Sequence, residues 1–244
     1  MLNEDENKII KETKRGFGEE DYRWFSEEAM EKLKKAQEEI QWLLSRGYKS
    51  SSLIDFIGGH YQFSSRQRTA LQRATASSNQ CRIRSEKHIA LEALKGNYIN
   101  IDGFNLIITL EVALSGGLLI QGNDEVIRDL AGLRGTYRLI DKTDNAIILI
   151  KQILMELGVR GVKFFLDAPV SNSGRLKTKI LEILTSSNII VEVELVPNAD
   201  VILSKLEGVV TADSIILDEC KSWVNLSRRI IEKYIKNAWV VKLQ

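Results

Sequence analysis

Three apolar segments of the sequence end in an aspartate: INID at Asp102, FFLD at Asp167 and VVTAD at Asp213. Each segment has the composition of a buried β-strand. In a parallel sheet the carboxyl ends of all strands lie on one edge, and open α/β sheets bind their ligands at that edge. The sequence therefore predicts that three carboxylates, distant along the chain, converge in one crevice.

Converging carboxylates indicate a site for a hard divalent cation. Carboxylates held close together without a partner repel one another and are costly to ionise. Mg²⁺ or Mn²⁺ removes that cost, because these ions prefer oxygen ligands and complete their shell with water or phosphate oxygens. Such an ion polarises a phosphodiester and lowers the pKa of an attacking water. Each aspartate taken singly has another interpretation, as a helix N-cap or a turn residue.

Two further acids are candidates for the same site. Asp129 in GNDEVIRDLAG is a candidate catalytic acid, and a surface ion pair with Arg128 is the alternative. Asp218 in TADSIILDEC is a candidate metal ligand, and a solvated helix charge is the alternative.

The segment DAPVSNSGR contains small polar residues directly before a predicted helix. Ser171, Asn172 and Ser173 offer hydrogen-bond donors at a helix N-terminus, a position that favours anions, and Arg175 adds a positive charge suited to phosphate. An ordinary capping loop is the alternative. The sequence contains no P-loop motif and no G-x-G-x-x-G, so a nucleotide-binding loop of either type has no support.

Positive charge is concentrated in one part of the chain. Residues 60–95 carry seven basic and two acidic side chains, although the formal net charge of the whole chain is only +1. Arginines beside aromatic rings can neutralise phosphates and stack on unpaired bases, which predicts RNA as a partner. The alternative is a solvated face or pairing with the acidic first helix. The candidate RNA-binding residues are Arg66, Arg68 and Arg73.

The first 95 residues show helical patterns without a strand pattern. The segment 26–45 is amphipathic, with Ser26 in the N-cap position and acids in its first turn. Two shorter helices are expected, at 51–58 and from Ser64 or Ser65 onward. These segments predict a small all-α N-terminal module spanning residues 1–95.

From residue 97 onward, short apolar strands alternate with helical segments. This alternation is typical of an α/β fold with a mostly parallel sheet and helices on both faces. It predicts a second domain at residues 96–244. Strands are expected at 97–101, 161–166, 189–195, 208–212 and 238–243, and helices at 104–116, 143–158 with Thr143 or Asp144 as cap, 175–187 and 222–237.

Composition and patterning favour a cytoplasmic protein with no membrane partner. The N-terminal residues are polar and unlike a secretory signal, and no apolar segment approaches the roughly 20 residues that span a bilayer. Cys81 and Cys220 lie far apart without C-x-x-C spacing, which suits free thiols in a reducing compartment.

The segment from about residue 97 to 240 resembles the NYN and PIN-like nuclease superfamily. IDGFN, with Asp102 and Asn105, resembles its opening strand and D-x-x-N element, and TADSIILD, with Asp213 and Asp218, resembles its later T-x-D-x-x element. The whole chain resembles a prokaryotic family named for its unknown function, in which a helical region precedes a PIN-like half.

The resemblance implies a metal-dependent ribonuclease that holds Mg²⁺ or Mn²⁺ through Asp102, Asp167 and Asp213, while Asn105 helps to position phosphate. Members of the superfamily usually carry an acid on the helix after the first strand. Here that helix offers only Glu111, so either Asp129 takes the role or the site is assembled differently. The alternatives are an RNA-binding protein without catalysis and a phosphatase-like hydrolase of small phosphoesters.

Overall fold

The computed structural model describes residues 13–132 and 135–243, and its central element is a five-stranded parallel sheet in the order β5-β4-β1-β6-β7. A second sheet has three strands in the order β3-β2-β8. The strands are β1 (Tyr98–Asp102), β2 (Leu119–Gln121), β3 (Ile127–Asp129), β4 (Gly161–Asp167), β5 (Ile190–Val196), β6 (Val209–Val210), β7 (Trp223–Val224) and β8 (Val240–Lys242).

The described helices lie before β1 and between the strands. They are α1 (Asp21–Trp24), α2 (Glu27–Leu44), α3 (Ser50–His60), α4 (Ser65–Ala74), α5 (Ser78–Lys87), α6 (Gly103–Leu114), α7 (Thr143–Glu156), α8 (Ser173–Leu184), α9 (Ala199–Leu203), α10 (Ser214–Glu219) and α11 (Leu226–Tyr234), with a short 3₁₀ helix at Leu91–Leu94.

Successive residues of the main sheet point to opposite faces, and each face is covered by helices. Phe164 belongs to a hydrophobic cluster with residues of α6, α7, α8 and α11, whereas Phe165 belongs to a cluster with α9 and α10. Val210 and Val209 divide in the same way. The predicted α/β architecture, a parallel sheet flanked by helices, is therefore confirmed.

Strand β1 lies in the middle of the sheet and carries the first of the strand-end aspartates. Ile101 of β1 is in register with Phe164 of β4 on one side and with Val210 of β6 on the other. Because all three strands run in the same direction, their carboxyl ends meet at one edge. The register thus places the ends of INID, FFLD and VVTAD at the same edge, with Asp167 and Asp213 each two residues beyond the level of Asp102.

The helices before β1 pack against the second sheet rather than standing apart. Leu33 and Leu71 of these helices share a hydrophobic cluster with Leu118, Ile120 and Leu243, which lie in or beside β2 and β8. Leu119, which follows Leu118 in the sequence, points the other way into the core of the main sheet. A separate all-α module and its boundary after residue 95 remain predictions.

Several element boundaries follow from local capping. Ser26 accepts a hydrogen bond from the amide of Ala29 at the start of α2, and Ser64 forms a capping box with Gln67 at the start of α4. Helix α7 differs from expectation: its N-cap is Lys142, which makes no side-chain cap, and Thr143 already lies inside the helix.

The segment 222–237 was expected to be helical throughout, and this is wrong at its start. Trp223 and Val224 form β7, and α11 begins only at Leu226. Both strand residues are buried beside β6, so sheet pairing outweighs the helical pattern that follows. The expected strand 238–243 is present as β8, but it pairs with β2. No helix in the described part of the chain is long and apolar enough to cross a membrane.

Candidate functional site

Three adjacent strands deliver an aspartate each to the carboxyl edge of the main sheet. Asp102 is the last residue of β1, Asp167 is the last residue of β4, and Asp213 lies just beyond the end of β6. Asp102 is buried, and the other two are half-buried. The sheet therefore places these three residues at the same edge, at the ends of adjacent strands.

Asp102 and Asp213 each cap the helix that follows them, and Asp167 binds the first residue of α9. The Oδ1 atom of Asp102 accepts the amide of Asn105 at 3.3 Å, that of Asp167 accepts the amide of Ala199 at 2.8 Å, and that of Asp213 accepts the amide of Ile215 at 2.8 Å. The N-cap alternative is thus realised at Asp102 and Asp213, whereas the N-cap of α9 is Asn198 and that of α8 is Asn172. At each of the three aspartates these amide bonds use one carboxylate oxygen. The Oδ2 atoms of Asp167 and Asp213 accept no hydrogen bond from any described residue.

Asp102 has the most perturbed environment of the three. Burial raises the pKa of its carboxyl group to about 7, and the negative charges of Asp200 and Asp213 add to that effect. Opposing them, Thr211 donates its hydroxyl to Asp102 Oδ2 at 2.9 Å, and the Asn105 amide donates to Oδ1. Near neutral pH this carboxyl group is therefore poised between its two protonation states.

A fourth acid, Asp200, belongs to the same edge and was missed from the sequence. It lies in the first turn of α9, which follows the end of β5. Burial raises its pKa, as do the negative charges of Asp213 and Asp167. The signal that could have found it is the segment VPNAD, an acid just beyond a fourth strand end.

The four acids offer the oxygen ligands that a divalent cation prefers, but their side chains are not arranged around a single ion position. Among the described residues, none of Asp102, Asp167, Asp200 and Asp213 forms an ion pair, so their charges lack a basic partner. In the same ranges, no three acidic, histidine or cysteine side chains are placed to hold one ion. Repulsion among ionised groups favours such separation.

Asn105 connects two parts of this edge. Its Oδ1 accepts the amide of Ala212 at 2.8 Å, directly before Asp213. Asn105 lies in the first turn of α6, after Asp102, so the bond joins the end of β1 to the segment that follows β6. Its position is next to the candidate site, as expected of a residue that would contact phosphate.

The polar loop before α8 is held by internal hydrogen bonds. Ser171 Oγ donates to the carbonyl of Tyr137 at 3.0 Å, and Asn172 Nδ2 donates to the same carbonyl at 2.6 Å. Ser173 Oγ donates to the carbonyl of Ala168 at 3.3 Å. The side chain of Arg175 is exposed and makes no hydrogen bond or ion pair within the described ranges, so it is the freest of the candidate phosphate ligands.

The arginines proposed to bind RNA contact the protein itself. Arg66 forms an ion pair with Asp21 at 2.8 Å and donates to two backbone carbonyls. Arg68 Nε donates to the carbonyl of Phe63 at 3.0 Å, and Arg73 donates to the carbonyl of Asp129. These contacts are internal, but none is to the acidic helix α2 that was considered as the alternative partner, and the RNA-binding role stays a prediction.

Asp129 and Asp218 lie in other surroundings. Asp129 ends β3 in the second sheet, where it pairs with Arg73 at 3.5 Å rather than with Arg128, the partner considered from the sequence. Asp218 Oδ1 accepts Arg84 Nε at 2.7 Å at the far end of α10. Neither belongs to the set of carboxylates whose charges perturb Asp102.

Glu111, the acid on the helix after the first strand, is fully buried in a polar cluster. Arg15 pairs with its carboxylate at 3.0 Å, and the hydroxyls of Tyr137 and Thr143 donate to Oε1 at 2.8 Å and 2.5 Å. Burial nevertheless raises its pKa above the ordinary value. This acid therefore links α6 to neighbouring segments and is not one of the acids at the carboxyl edge of the main sheet.

Comparison with known proteins identifies the family. The family described as "Domain of unknown function (DUF5616)" matches residues 91–229, which is more than half of the chain. This chain belongs to the DUF5616 family. The DUF5616 region contains the four aspartates of the sheet edge, and a second family, "Protein of unknown function (DUF434)", matches residues 32–87 in the helices before it.

A relative from an archaeon matches most of this DUF5616 protein. "Uncharacterized protein MJ0935" of Methanocaldococcus jannaschii is 35% identical over 206 residues, which cover 84% of this chain and 98% of the relative. No solved structure matches the chain significantly. The relationship therefore covers the helices and the α/β part together.

Proposed function

We propose that this protein is a metal-dependent ribonuclease with a PIN-like α/β domain preceded by an all-α module. The observation that carries the proposal is the set of four aspartates at one sheet edge, contributed after β1, β4, β5 and β6. Negative charges within this set contribute to the raised pKa values of Asp102 and Asp200, and no basic side chain in the described ranges pairs with the four acids. A divalent cation is the partner that such a set lacks.

The residues of the edge have distinct roles in this proposal. Asp167 and Asp213 each have one oxygen occupied by backbone amides at the start of a helix and one oxygen open, so they would be metal ligands held in fixed orientation. Asp102 would join them once ionised, with Thr211 fixing its Oδ2 atom. Mg²⁺ or Mn²⁺, when bound, would polarise the phosphodiester and acidify the attacking water.

RNA is the proposed substrate because of the resemblance of IDGFN and TADSIILD to PIN-like nucleases. Arg175, in the first turn of α8 after the Asp167 strand, is exposed and would attract a phosphate in this proposal. Arg66, Arg68 and Arg73 contribute less to this proposal, because their guanidinium groups already bond to the protein.

The decisive experiment is Mn²⁺ titration by calorimetry combined with an RNA cleavage assay. We expect the wild type to bind Mn²⁺ and to cleave RNA, and Asp102→Asn to lose both while retaining its fold. Asp144→Asn is the matched control, because Asp144 lies in the first turn of α7 and pairs with Lys179 away from the edge. Unchanged cleavage by Asp102→Asn would remove this proposal.

Two observations favour a second candidate, an RNA-binding protein without catalysis. No described group of acids is already gathered to hold an ion, and the acid of the helix after β1 is buried in a structural cluster. That candidate predicts RNA binding that weakens steeply with salt and no cleavage with any divalent ion. Turnover of an aryl phosphate with indifference to RNA would instead indicate a small-molecule phosphoesterase.

A further inference from the structure

Helix α10, whose N-cap is Asp213, is held by side chains of α5. Gln80 Nε2 donates to Asp218 Oδ2 at 2.7 Å, and Arg84 Nε donates to Asp218 Oδ1 at 2.7 Å. Lys87 Nζ donates to the backbone carbonyl of Asp218 at 2.6 Å. A helix from the N-terminal part of the chain thus fixes the far end of the element that begins at Asp213.

Two buried arginines also bind the backbone on both sides of Asp213. Arg128 Nε donates to the carbonyl of Ala212 at 2.8 Å, and Arg84 Nη2 donates to the carbonyl of Ser214 at 3.3 Å. These are the residues directly before and directly after the aspartate. The backbone on both flanks of Asp213 is therefore fixed by buried side chains.

A single carboxylate joins the two guanidinium groups. Asp124 Oδ2 lies 2.5 Å from Arg84 Nη1 and 2.6 Å from Arg128 Nη2, and its Oδ1 lies 2.8 Å from Arg128 Nη1. The three side chains are between 1% and 5% exposed. Bonds of this kind, between charged groups and in bidentate geometry, are short and directional. We call these three residues the Asp213 clamp.

The clamp keeps its charges at neutral pH. Burial by itself would raise the pKa of Asp124, but the hydrogen bonds and positive charges of Arg128 and Arg84 outweigh burial and lower it. The carboxylate therefore stays ionised, and both arginines keep a fixed partner.

We propose that Arg84, Asp124 and Arg128 are positioning residues for Asp213, so that α5 of the N-terminal helices is an integral part of the candidate metal site. The consequence for metal binding rests on the proposed function, whereas the positioning of Asp213 does not. In the sequence, Arg84 is only one of the basic side chains of residues 60–95. Its buried contacts give it a different role, because a side chain that is 3% exposed cannot also bind solvent-borne RNA.

The test compares arginine-to-lysine variants inside and outside the clamp. Arg84→Lys and Arg128→Lys keep the charge but lose the planar fork that binds a carboxylate and a carbonyl together. Arg66→Lys is the matched control, because Arg66 also pairs with a buried aspartate, Asp21, and donates to the carbonyls of Gly16 and Leu130. Within the described ranges, Arg66 makes no hydrogen bond to α10 or to the four aspartates.

Two readouts separate positioning from general stability. The first is amide hydrogen exchange, in the metal-free protein, at Ile215 and Ile216, whose amides donate to Asp213. The second is Mn²⁺ affinity by calorimetry, with urea unfolding of each variant as a reference. We expect the clamp variants to exchange these amides at least about tenfold faster and to bind Mn²⁺ about 10- to 100-fold more weakly. The control should lose stability without either change.

The clamp and the proposed function are tested by different outcomes of these experiments. Wild-type exchange and Mn²⁺ affinity in both clamp variants, or equal losses in Arg66→Lys, would overturn the clamp. If the wild type binds no Mn²⁺, the proposed function fails, and amide exchange alone decides whether the clamp exists. Should the clamp variants not fold, Lys87→Met removes one contact at the rim of α5 and should show a smaller change in the same direction.

Discussion

The Asp102 carboxyl group links the candidate site to the stability of the protein. Its pKa is about 7 in the folded chain, against an ordinary value of 3.8, because the group is buried and two acids lie near it. Between these two values the folded protein binds more protons than the unfolded chain. The free energy of unfolding must therefore fall as the pH rises through this window.

We predict that Asp102→Asn flattens this pH dependence. The wild type should lose stability on the order of 4 kcal/mol between about pH 4 and pH 7 from this group alone, since each pKa unit corresponds to about 1.4 kcal/mol. Asparagine cannot titrate, so the variant should lack that loss. Urea unfolding across the pH range is the measurement. Thr211→Val, which removes a bond to the ionised form, should move the window upward, and an unchanged slope in Asp102→Asn would contradict the assignment.

At Glu111 we predict a structural effect rather than a catalytic one. Glu111→Gln leaves the buried Arg15 without its charged partner and should cost about 3–5 kcal/mol of stability. Urea unfolding measures the loss, and the double variant with Arg15→Met should recover part of it. Mn²⁺ affinity should be retained. A loss of metal binding in a folded Glu111→Gln protein would instead indicate that Glu111 contributes to the metal site.

At the scale of the elements, Gly103 shows how closely α6 approaches β4. A Cβ atom at this position would lie 2.5 Å from Leu166 Cδ2 and 3.2 Å from the carbonyl oxygen of Phe165. The first residue of α6 is thus packed directly onto the strand that ends in Asp167, and this contact brings the start of α6 beside the candidate site.

We predict that Gly103→Ala destabilises the protein by about 1–3 kcal/mol, because the fully buried Leu166 side chain must shift within the core and the Phe165 carbonyl must also give way slightly. Gly174→Ala is the control. Gly174 also lies in the first turn of a helix, α8. Apart from its chain neighbours and the backbone of its own helix, no described atom lies within 4 Å of the place that a Cβ atom would take, so alanine there should stabilise by roughly 0.4–1 kcal/mol. Thermal melts of both variants measure the difference, and equal effects would contradict the close approach.

At the scale of the whole molecule, the second sheet joins the helices to the α/β part. One of its faces contributes Leu118 and Ile120 to the cluster of the N-terminal helices, and the other contributes Leu119 and Ile127 to the core of the main sheet. The Asp213 clamp crosses the same boundary through Arg84. Two regions that match different families therefore share both a core and a candidate site.

We predict that residues 96–244 do not form the native structure without the helices. The fragment would expose Leu118, Ile120 and Leu243, which are at most 1% exposed in the whole chain, and it would leave Asp124 without one of its arginines. Circular dichroism and size-exclusion chromatography should show an unfolded or aggregated fragment. Addition of residues 1–95 should restore a folded complex. A stable folded fragment would instead support the predicted boundary after residue 95.

The sequence alone located the longer elements well. Ser26 and Ser64 identify helix starts because an N-cap bond is made within a few residues along the chain. The two-residue strands β6 and β7 carry too little pattern to fix their bounds, and for that reason 222–225 reads as part of the following helix. The alternation of apolar segments and helices was enough to predict the parallel sheet, because few other arrangements bury such segments.

The sequence by itself determined that three aspartates lie at or just beyond strand ends, since a strand, the residues at its end and the next helix are neighbours along the chain. Only the tertiary structure decided the rest of the candidate site. Asp200 joined the edge because β5 pairs with β4, and Arg84 bonds to residues 40 and 134 positions away. No short sequence pattern indicates such contacts, because the partners are distant along the chain and meet only when the sheet and helices pack.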